Sequence, residues 1–216
     1  MGMEKHYVHV QRTARYFQSK KIDENIKRVI FILHGYAQNA NDFLKYFEKL
    51  DNEQTLIVAP EGLSKFYWKD FTSAPSSSWM TSLERENEIE DTLKYLNQVC
   101  FDVRCQLPKE GIEYSFLGFS QGAATASRFC AYSSIKVSNL FLYGGAPAHD
   151  LDWTALNDDL SFYLIYGDKD LFVKDSQVKK VEGLIQSKKF KVQSYRYEGK
   201  HKIEDAGLDY IKSVIH

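Results

Sequence analysis

The sequence predicts an α/β fold with a mostly parallel central sheet and helices on both of its faces. Short apolar runs alternate along the chain with stretches of helical periodicity. Several apolar runs, such as residues 29–33, lack the polar alternation of a half-exposed strand and are expected to be buried on both sides. No linker or repeat divides the 216 residues, so one domain over 1–216 is expected.

The order of the predicted elements follows from the alternation of these two patterns. Strands are predicted over residues 7–10, 14–17, 29–33, 56–59, 114–117, 140–143, 162–166 and 192–197, the first two forming a hairpin. Helices are predicted over residues 42–50, from a cap at 81 or 82 through the apolar positions 89 to 100, over 121–132 and 174–187, and from about 203 to the end. Asn41 is the expected cap of the first helix, and Thr81 or Ser82 that of the second. Residues 60–80 are expected to form a long aromatic loop.

The loops that follow the strands are the expected place for chemistry. In an open parallel sheet, ligands bind at the carboxyl ends of the strands. In this chain, those ends correspond to the loops after Leu33, Leu117, Tyr166 and Tyr197.

The loop after Leu117 holds the most informative motif. Residues 118–122 read Gly-Phe-Ser-Gln-Gly, a G-x-S-x-G pattern that follows an apolar strand and precedes a helix rich in alanine. At average Gly and Ser frequencies, a chain of this length would hold about 0.07 such matches by chance. The motif is typical of the nucleophile turn of α/β hydrolases, in which side chains at Gly118 and Gly122 are expected to collide across the turn. We therefore predict Ser120 as a nucleophile, the alternative being an ordinary turn that contains a serine.

A serine nucleophile needs a base, and in this fold the chain order is serine, acid, histidine. His201 follows the last predicted strand, at the carboxyl end of the sheet, and is the expected base. His149 precedes the strand that should deliver the acid, and His216 is the terminal residue. The acid is expected in the loop after Tyr166, where Asp168 and Asp170 are both candidates.

The reaction also needs two N–H groups that stabilise an oxyanion. One is the backbone N–H of Gln121, the residue after the nucleophile. The other is expected from the loop after Leu33, with the Tyr36 N–H as the best candidate, since Gly35 lets the backbone approach a substrate closely. His34 in the same loop is expected to have a structural role.

The chain resembles the phospholipase/carboxylesterase group of α/β hydrolases, which includes the acyl-protein thioesterases. The resemblance extends from the strand before His34 to His201, and five further motifs carry it. They are Leu33-His34-Gly35, Ala59-Pro60-Glu61-Gly62, Ser78-Trp79, residues 118–122 and Tyr166-Gly167-Asp168-Lys169-Asp170. The resemblance implies hydrolysis of carboxylic esters or thioesters without a cofactor, in a domain with little or no cap. In this group, the acid stands in a Gly-x-x-Asp motif followed by an apolar pair, and this spacing selects Asp170.

The chain departs from the group at two places that are expected to line the substrate pocket. Residues 36–39 replace the usual Gly-Asp pair after His-Gly, and the loop over 66–80 is particular to this sequence. Aromatic side chains in these regions indicate an apolar acyl or aryl substrate. The expected substrate-binding residues are Trp79, Phe66, Phe119 and Phe172, of which Trp79 occupies the Ser-Trp position of the group.

Other classes of function are disfavoured by the composition. A net charge of −1 gives no basic footprint for nucleic acid, and no apolar run is long enough to span a membrane. The chain has no phosphate-binding or dinucleotide motif, and no metal or cofactor is expected. Three cysteines without C-x-x-C spacing, and no apolar leader, indicate the cytoplasm. Two alternatives remain: a non-catalytic binding protein on the same fold, and an acyltransferase or perhydrolase that uses the same three residues.

Overall fold

A seven-stranded sheet forms the centre of the protein in a computed structural model that describes residues 2–107 and 111–215. The spatial order of its strands is β1-β3-β2-β6-β7-β8-β9. Their bounds are β1 Tyr16–Gln18, β2 Arg28–Leu33, β3 Thr55–Pro60, β6 Glu113–Phe119, β7 Val137–Tyr143, β8 Ser161–Gly167 and β9 Lys191–Tyr197. Only the β1–β3 pair in this sheet is antiparallel, which confirms the prediction of a mostly parallel sheet.

Helices cover both faces of this sheet, as predicted. Their bounds are α1 Ala40–Lys45, α2 Arg85–Gln106, α3 Gln121–Tyr132, α4 Asp175–Ser187 and α5 Asp205–Ile215. One hydrophobic cluster joins α2, α3 and α4 to the sheet through side chains such as Leu96, Phe129 and Ile185. A second cluster joins α1 and α5 through side chains such as Phe43 and Ile211. Burial of these apolar faces is the main force that holds helices against a sheet.

The predicted starting hairpin is wrong. Residues 2–15 contain no strand, and β1 pairs with the distant strand β3 instead. Residues 7–10 are exposed, and the Tyr7 hydroxyl donates to the Glu84 carboxylate at 2.7 Å. Residues 7–10 therefore form no strand and bury no apolar face against the sheet.

The predicted helix caps are also wrong. Asn39, rather than Asn41, caps α1, since its side-chain oxygen accepts the Asp42 N–H at 2.8 Å. The α2 helix begins at Arg85, after a residue with left-handed backbone, and neither Thr81 nor Ser82 caps it. The Thr81 hydroxyl instead donates to the Glu88 carboxylate at 2.8 Å.

The segment over 60–80 is more ordered than the predicted loop. Strands β4 Ser64–Phe66 and β5 Ser76–Ser78 pair antiparallel and form a separate two-stranded sheet. This hairpin lies beside the carboxyl ends of the central strands, because Ser77 also bridges to Gln38. Among the described residues, no large cap domain covers the sheet, and no described helix is long and apolar enough to cross a membrane.

Candidate active site

Ser120 lies on a strained turn between β6 and α3. Its backbone has φ 53° and ψ −116°, a conformation that non-glycine residues rarely adopt. The Ser120 N–H donates to the carbonyl of Tyr143 at 2.9 Å, which anchors the turn to the neighbouring strand β7. The turn places Ser120 at the carboxyl end of the sheet and at the N-terminus of a helix, where developing negative charge is favoured.

The two glycines around Ser120 are required for close approach of the backbone. A Cβ added at Gly118 would lie 2.2 Å from the carbonyl oxygen of Gly122, as expected for a collision across the turn. A Cβ added at Gly122 would meet a different neighbour, the carbonyl oxygen of Leu33 at 2.2 Å. Gly122 therefore allows α3 to pack against the end of β2, which corrects the sequence-based explanation for this residue.

His201 and Asp170 meet above the ends of β8 and β9. The His201 Nδ1 lies 2.7 Å from Oδ2 of Asp170, whose side chain is almost fully buried. The other carboxylate oxygen accepts the backbone N–H groups of Phe172 at 2.7 Å and Val173 at 3.1 Å. Both carboxylate oxygens are therefore engaged, and the side chain is held in one orientation.

Asp168, the alternative acid, has a different partner. Its side chain accepts the Gly199 N–H at 3.0 Å, and its own N–H donates to the Tyr197 carbonyl at 2.8 Å. Asp168 thus ties the loop after β8 to the loop that carries His201. Among the other histidines, His149 is exposed on the surface, and His216 lies outside the described residues.

Ser120 and His201 line one cavity of about 690 Å³. Above Ser120, the His201 ring packs against Phe119 and Phe172, with ring centroids 4.9 and 4.8 Å apart. Within the described residues, no hydrogen bond joins the Ser120 hydroxyl to His201. Such contacts are often long before substrate binds and tighten in the reacting complex.

Aliphatic and aromatic side chains both line this cavity. The aliphatic ones include Leu142, Leu164, Val173, Val178 and Val181, of which the last two lie on α4. Aromatic side chains at the cavity are Tyr36, Trp68, Phe119, Tyr166 and Phe172. Such a lining favours an apolar group in the bound molecule.

The loop after β2 presents one unoccupied N–H group. The Gly35 N–H donates to the side-chain oxygen of Gln38 at 2.7 Å, and the Ala37 N–H donates to the Ser77 carbonyl at 3.1 Å. Between them, the Tyr36 N–H has no acceptor among the described residues. The Gln121 N–H is likewise unoccupied within the described chain, as expected at the first position of a helix.

The sequence model of the phospholipase/carboxylesterase family matches residues 17–216. The chain belongs to the phospholipase/carboxylesterase family. Its fold resembles that of acyl-protein thioesterase 2 from Zea mays, which is 16% identical with a TM-score of 0.71 over 94% of this chain and 98% of that one.

Two further solved structures share this fold. A phospholipase/carboxylesterase from Dyadobacter fermentans is 20% identical, with a TM-score of 0.67 over 96% of this chain and 98% of that one. The Bacillus cereus carboxylesterase is 17% identical, with a TM-score of 0.69 over 93% and 92% of the two chains. Curated protein sequences give no significant match. At these identities, the likeness establishes the fold and leaves the substrate open.

Two of the four predicted substrate-binding residues line the cavity of this family member. Phe119 and Phe172 do so, whereas Phe66 lies one layer behind, stacked on Tyr36 with ring centroids 5.3 Å apart. Trp79 is fully buried elsewhere and does not line the cavity. Trp68 does line the cavity, and its side chain is half-exposed.

Trp79 instead supports the loop after β2 from below. Its indole N–H donates to the His34 carbonyl at 2.7 Å, and its ring stacks on the His34 ring with centroids 4.7 Å apart. The His34 Nδ1 lies 2.8 Å from the Gly35 carbonyl, and its Nε2 accepts the Gly62 N–H at 3.0 Å. Burial lowers the pKa of His34 to about 4, so the ring is neutral and structural.

The loop after β7 was missed by sequence reasoning. Its residues Gly144, Gly145 and Ala146 line the cavity, and a Cβ added at Gly144 would lie 3.1 Å from the Cε1 of His201. Ligands bind at the carboxyl ends of parallel strands, and this rule also applies to the strand that ends at Tyr143, so it would have predicted this loop. Within the described ranges, no group of three or more acidic, histidine or cysteine side chains could hold a metal ion.

Proposed function

We propose that this protein is a serine hydrolase that cleaves carboxylic esters or thioesters through an acyl-enzyme intermediate. The observation that carries this proposal is the 2.7 Å contact between Asp170 and His201, a residue that lines the same cavity as Ser120. The strained backbone of Ser120 adds support, because strain of this kind persists mainly where function uses it. Ser120 is the proposed nucleophile, His201 the base and Asp170 the acid.

In the first half of the reaction, the Ser120 oxygen attacks the carbonyl carbon and His201 Nε2 takes the hydroxyl proton. The carbonyl π electrons move to its oxygen, and the proposed donors to this oxyanion are the N–H groups of Tyr36 and Gln121. Asp170 fixes the tautomer of His201 and stabilises its cation. When the tetrahedral intermediate collapses, the alcohol or thiol leaves with the proton from His201.

Water completes the cycle by the same route. His201 takes a proton from the water as its oxygen attacks the acyl carbon, and the same two N–H groups hold the second oxyanion. The Ser120–acyl bond then breaks, Ser120 regains its proton from His201, and the carboxylic acid is released. No cofactor is needed for either half.

The lining of the cavity supports an apolar substrate group. Aliphatic side chains in the lining, such as Leu164 and Val178, offer no charged partner to a polar substituent. Aromatic side chains in the lining, such as Trp68, suit either an acyl chain or an aromatic leaving group.

Hydrolysis of p-nitrophenyl acetate and butyrate tests this proposal, with Ser120→Ala as the control. We expect turnover by the wild type, none above background by the variant, and covalent labelling of Ser120 by a fluorophosphonate. Equal rates in the two proteins would contradict the proposal, and an inactive, unlabelled wild type would favour a non-catalytic binding protein. Product analysis with added alcohol or peroxide separates hydrolysis from acyl transfer or perhydrolysis.

We also infer a cytoplasmic location from the cysteines. Cys100, Cys105 and Cys130 are free thiols, and the first and last are buried. Proteins of oxidising compartments more often pair their cysteines. Cell fractionation would test this location.

A further inference from the structure

The side chain of Gln121 makes contacts that the proposed reaction does not explain. Its oxygen accepts the Trp79 N–H at 3.2 Å, and its nitrogen donates to the Met80 carbonyl at 2.9 Å. Both of these amide atoms also lie 3.2 Å from the Ser78 hydroxyl. The carboxamide therefore joins the start of α3 to the end of β5.

The orientation of this carboxamide is determined by its partners. The Trp79 N–H can only donate, and the Met80 carbonyl can only accept. If the amide were rotated by 180°, donor would face donor and acceptor would face acceptor. Gln121 thus holds β5 at a defined distance from the turn that carries Ser120.

The β5 strand in turn holds the loop of the second proposed oxyanion donor. The Ser77 N–H donates to the Gln38 carbonyl at 2.9 Å, and the Ser77 carbonyl accepts the Ala37 N–H at 3.1 Å. These two bonds form an antiparallel bridge between Gln38 and Ser77. The Tyr36 N–H belongs to the peptide group immediately before that of Ala37 in this loop.

The loop depends on these outside bonds because it is strained. Ala37 has a φ of 61°, a left-handed conformation that a residue with a Cβ adopts only when its surroundings impose it. The bridge to Ser77 supplies that constraint, and the position of Ser77 depends on the anchorage of β5 by Gln121. Gln121 is therefore connected through β5 and its bonds from Ser77 to the peptide group of Ala37, which directly follows the peptide group that carries the Tyr36 N–H.

We propose that the Gln121 side chain is a positioning group. It holds the Tyr36 N–H where this group and the backbone N–H of Gln121 can both donate to the same oxyanion. One residue then fixes the geometry of both oxyanion donors, one through its main chain and the other through its side chain. This inference rests on the proposed function and assigns the side chain a role within the same site.

Replacement of the side chain tests the inference, because every variant keeps the backbone N–H at position 121. For Gln121→Met, we expect kcat to fall about 10- to 100-fold with KM changed less than about threefold, because loss of one oxyanion donor costs about 10²- to 10³-fold. Affinity for a trifluoromethyl ketone, which forms an oxyanion on Ser120, should fall by the same factor as kcat. Gln121→Ala should show the same pattern if methionine disturbs folding.

Gln98→Met is the matched control. Gln98 lies on the exposed side of α2 and donates to Asp102 at 2.8 Å, away from the cavity. Its replacement should leave kcat and ketone affinity unchanged. The inference would be overturned if Gln121→Met had a kcat within twofold of wild type, or if its KM rose while kcat stayed unchanged. Either result would leave the proposed function intact.

Ala37→Gly provides a rescue that a general loss of packing would not show. Glycine adopts the left-handed conformation without the strain of alanine, so the loop should depend less on Ser77. Adding Ala37→Gly to Gln121→Met should restore part of the lost kcat. An additive loss in the double variant would contradict the proposed chain of contacts. If the wild type itself turns over no ester, the proposed function fails first.

Discussion

The Asp170 carboxylate accepts a hydrogen bond from the Nδ1 of His201 at 2.7 Å, across the ends of two adjacent parallel strands. This bond commits one ring nitrogen, so the Nε2 remains available for the proton exchange with Ser120 that the proposed reaction requires. The Asp170 side chain is itself fixed by two backbone N–H groups of the next residues. The orientation of the imidazole is thus determined before any substrate binds.

Asp170→Asn is predicted to lower kcat about 10³- to 10⁴-fold, because an amide can present a donor to Nδ1 and favour the wrong tautomer. Ester turnover, with folding checked by circular dichroism, measures the loss.

Asp168→Asn is the matched control, since it makes the same carboxylate-to-carboxamide change two residues away. An asparagine oxygen can still accept the Gly199 N–H, so kcat should stay within about threefold of wild type. Equal losses in the two variants would argue against Asp170 as the acid.

Gly144→Ala is predicted to lower kcat about 10- to 100-fold. The residue has a φ of 59°, and the new Cβ would lie 3.1 and 3.2 Å from two atoms of the His201 ring. A small displacement of a catalytic group can cost about 100-fold in rate.

Gly183→Ala gives the comparison for this change. Apart from the adjacent backbone of α4 itself, no atom of the described residues lies within 4 Å of the Cβ that would be added at Gly183. This variant should keep its kcat and gain about 0.5–1 kcal/mol in unfolding free energy, measured by denaturant titration. Unchanged activity in Gly144→Ala would show that the His201 ring tolerates displacement.

Trp68→Ala and Trp79→Phe should separate substrate binding from stability. Trp68 lines the cavity and is half-exposed, so its loss should raise KM for butyrate esters by about fivefold and leave the unfolding free energy within about 0.5 kcal/mol. Trp79→Phe removes the donor to the buried His34 carbonyl and should destabilise by about 1–3 kcal/mol. A raised KM in Trp79→Phe, with unchanged KM in Trp68→Ala, would instead indicate Trp79 as the substrate contact.

His34 is predicted to contribute to acid denaturation. Its pKa falls from 6.5 to about 4 on folding, because burial disfavours the cation. Between these pH values, the unfolded chain binds a proton that the folded protein does not, so the unfolding free energy decreases as the pH falls. The size of this contribution is about 3 kcal/mol when it is complete.

The difference between wild type and His34→Gln isolates this contribution. Glutamine can donate to one partner and accept from the other without titrating, so the variant should show a flatter dependence of unfolding free energy between pH 6.5 and 4. Asp150, whose pKa is held at about 2 by Arg128 and Arg85 against the effect of burial, should contribute equally in both proteins. Parallel curves would contradict the assignment to His34.

The elements that bring the site together could be predicted because they depend on periodicity and strand order. Buried strands such as residues 29–33 have an unmistakable pattern, and the carboxyl ends of parallel strands must meet at one edge of the sheet. That rule placed Ser120, His201 and the loop with Asp168 and Asp170 in the same region without any knowledge of their distances, and the family resemblance then selected Asp170.

The remaining details depend on packing, which periodicity does not encode. Trp68 and Trp79 lie in the same aromatic segment, and only the β4–β5 hairpin decides which one faces the cavity and which one packs on His34. The choice of Asn39 over Asn41 as a cap likewise depends on backbone angles at one residue. Three-dimensional context decided each of these cases, not residue type.

The backbone conformation of Ser120 lowers the stability of the folded protein. Its left-handed φ suits glycine better than serine, so Ser120→Gly should abolish activity and raise the unfolding free energy by about 1 kcal/mol. Denaturant titration of the two proteins measures that gain. The serine at position 120 therefore makes the fold less stable than glycine would, at the one position where the proposed reaction needs a hydroxyl group.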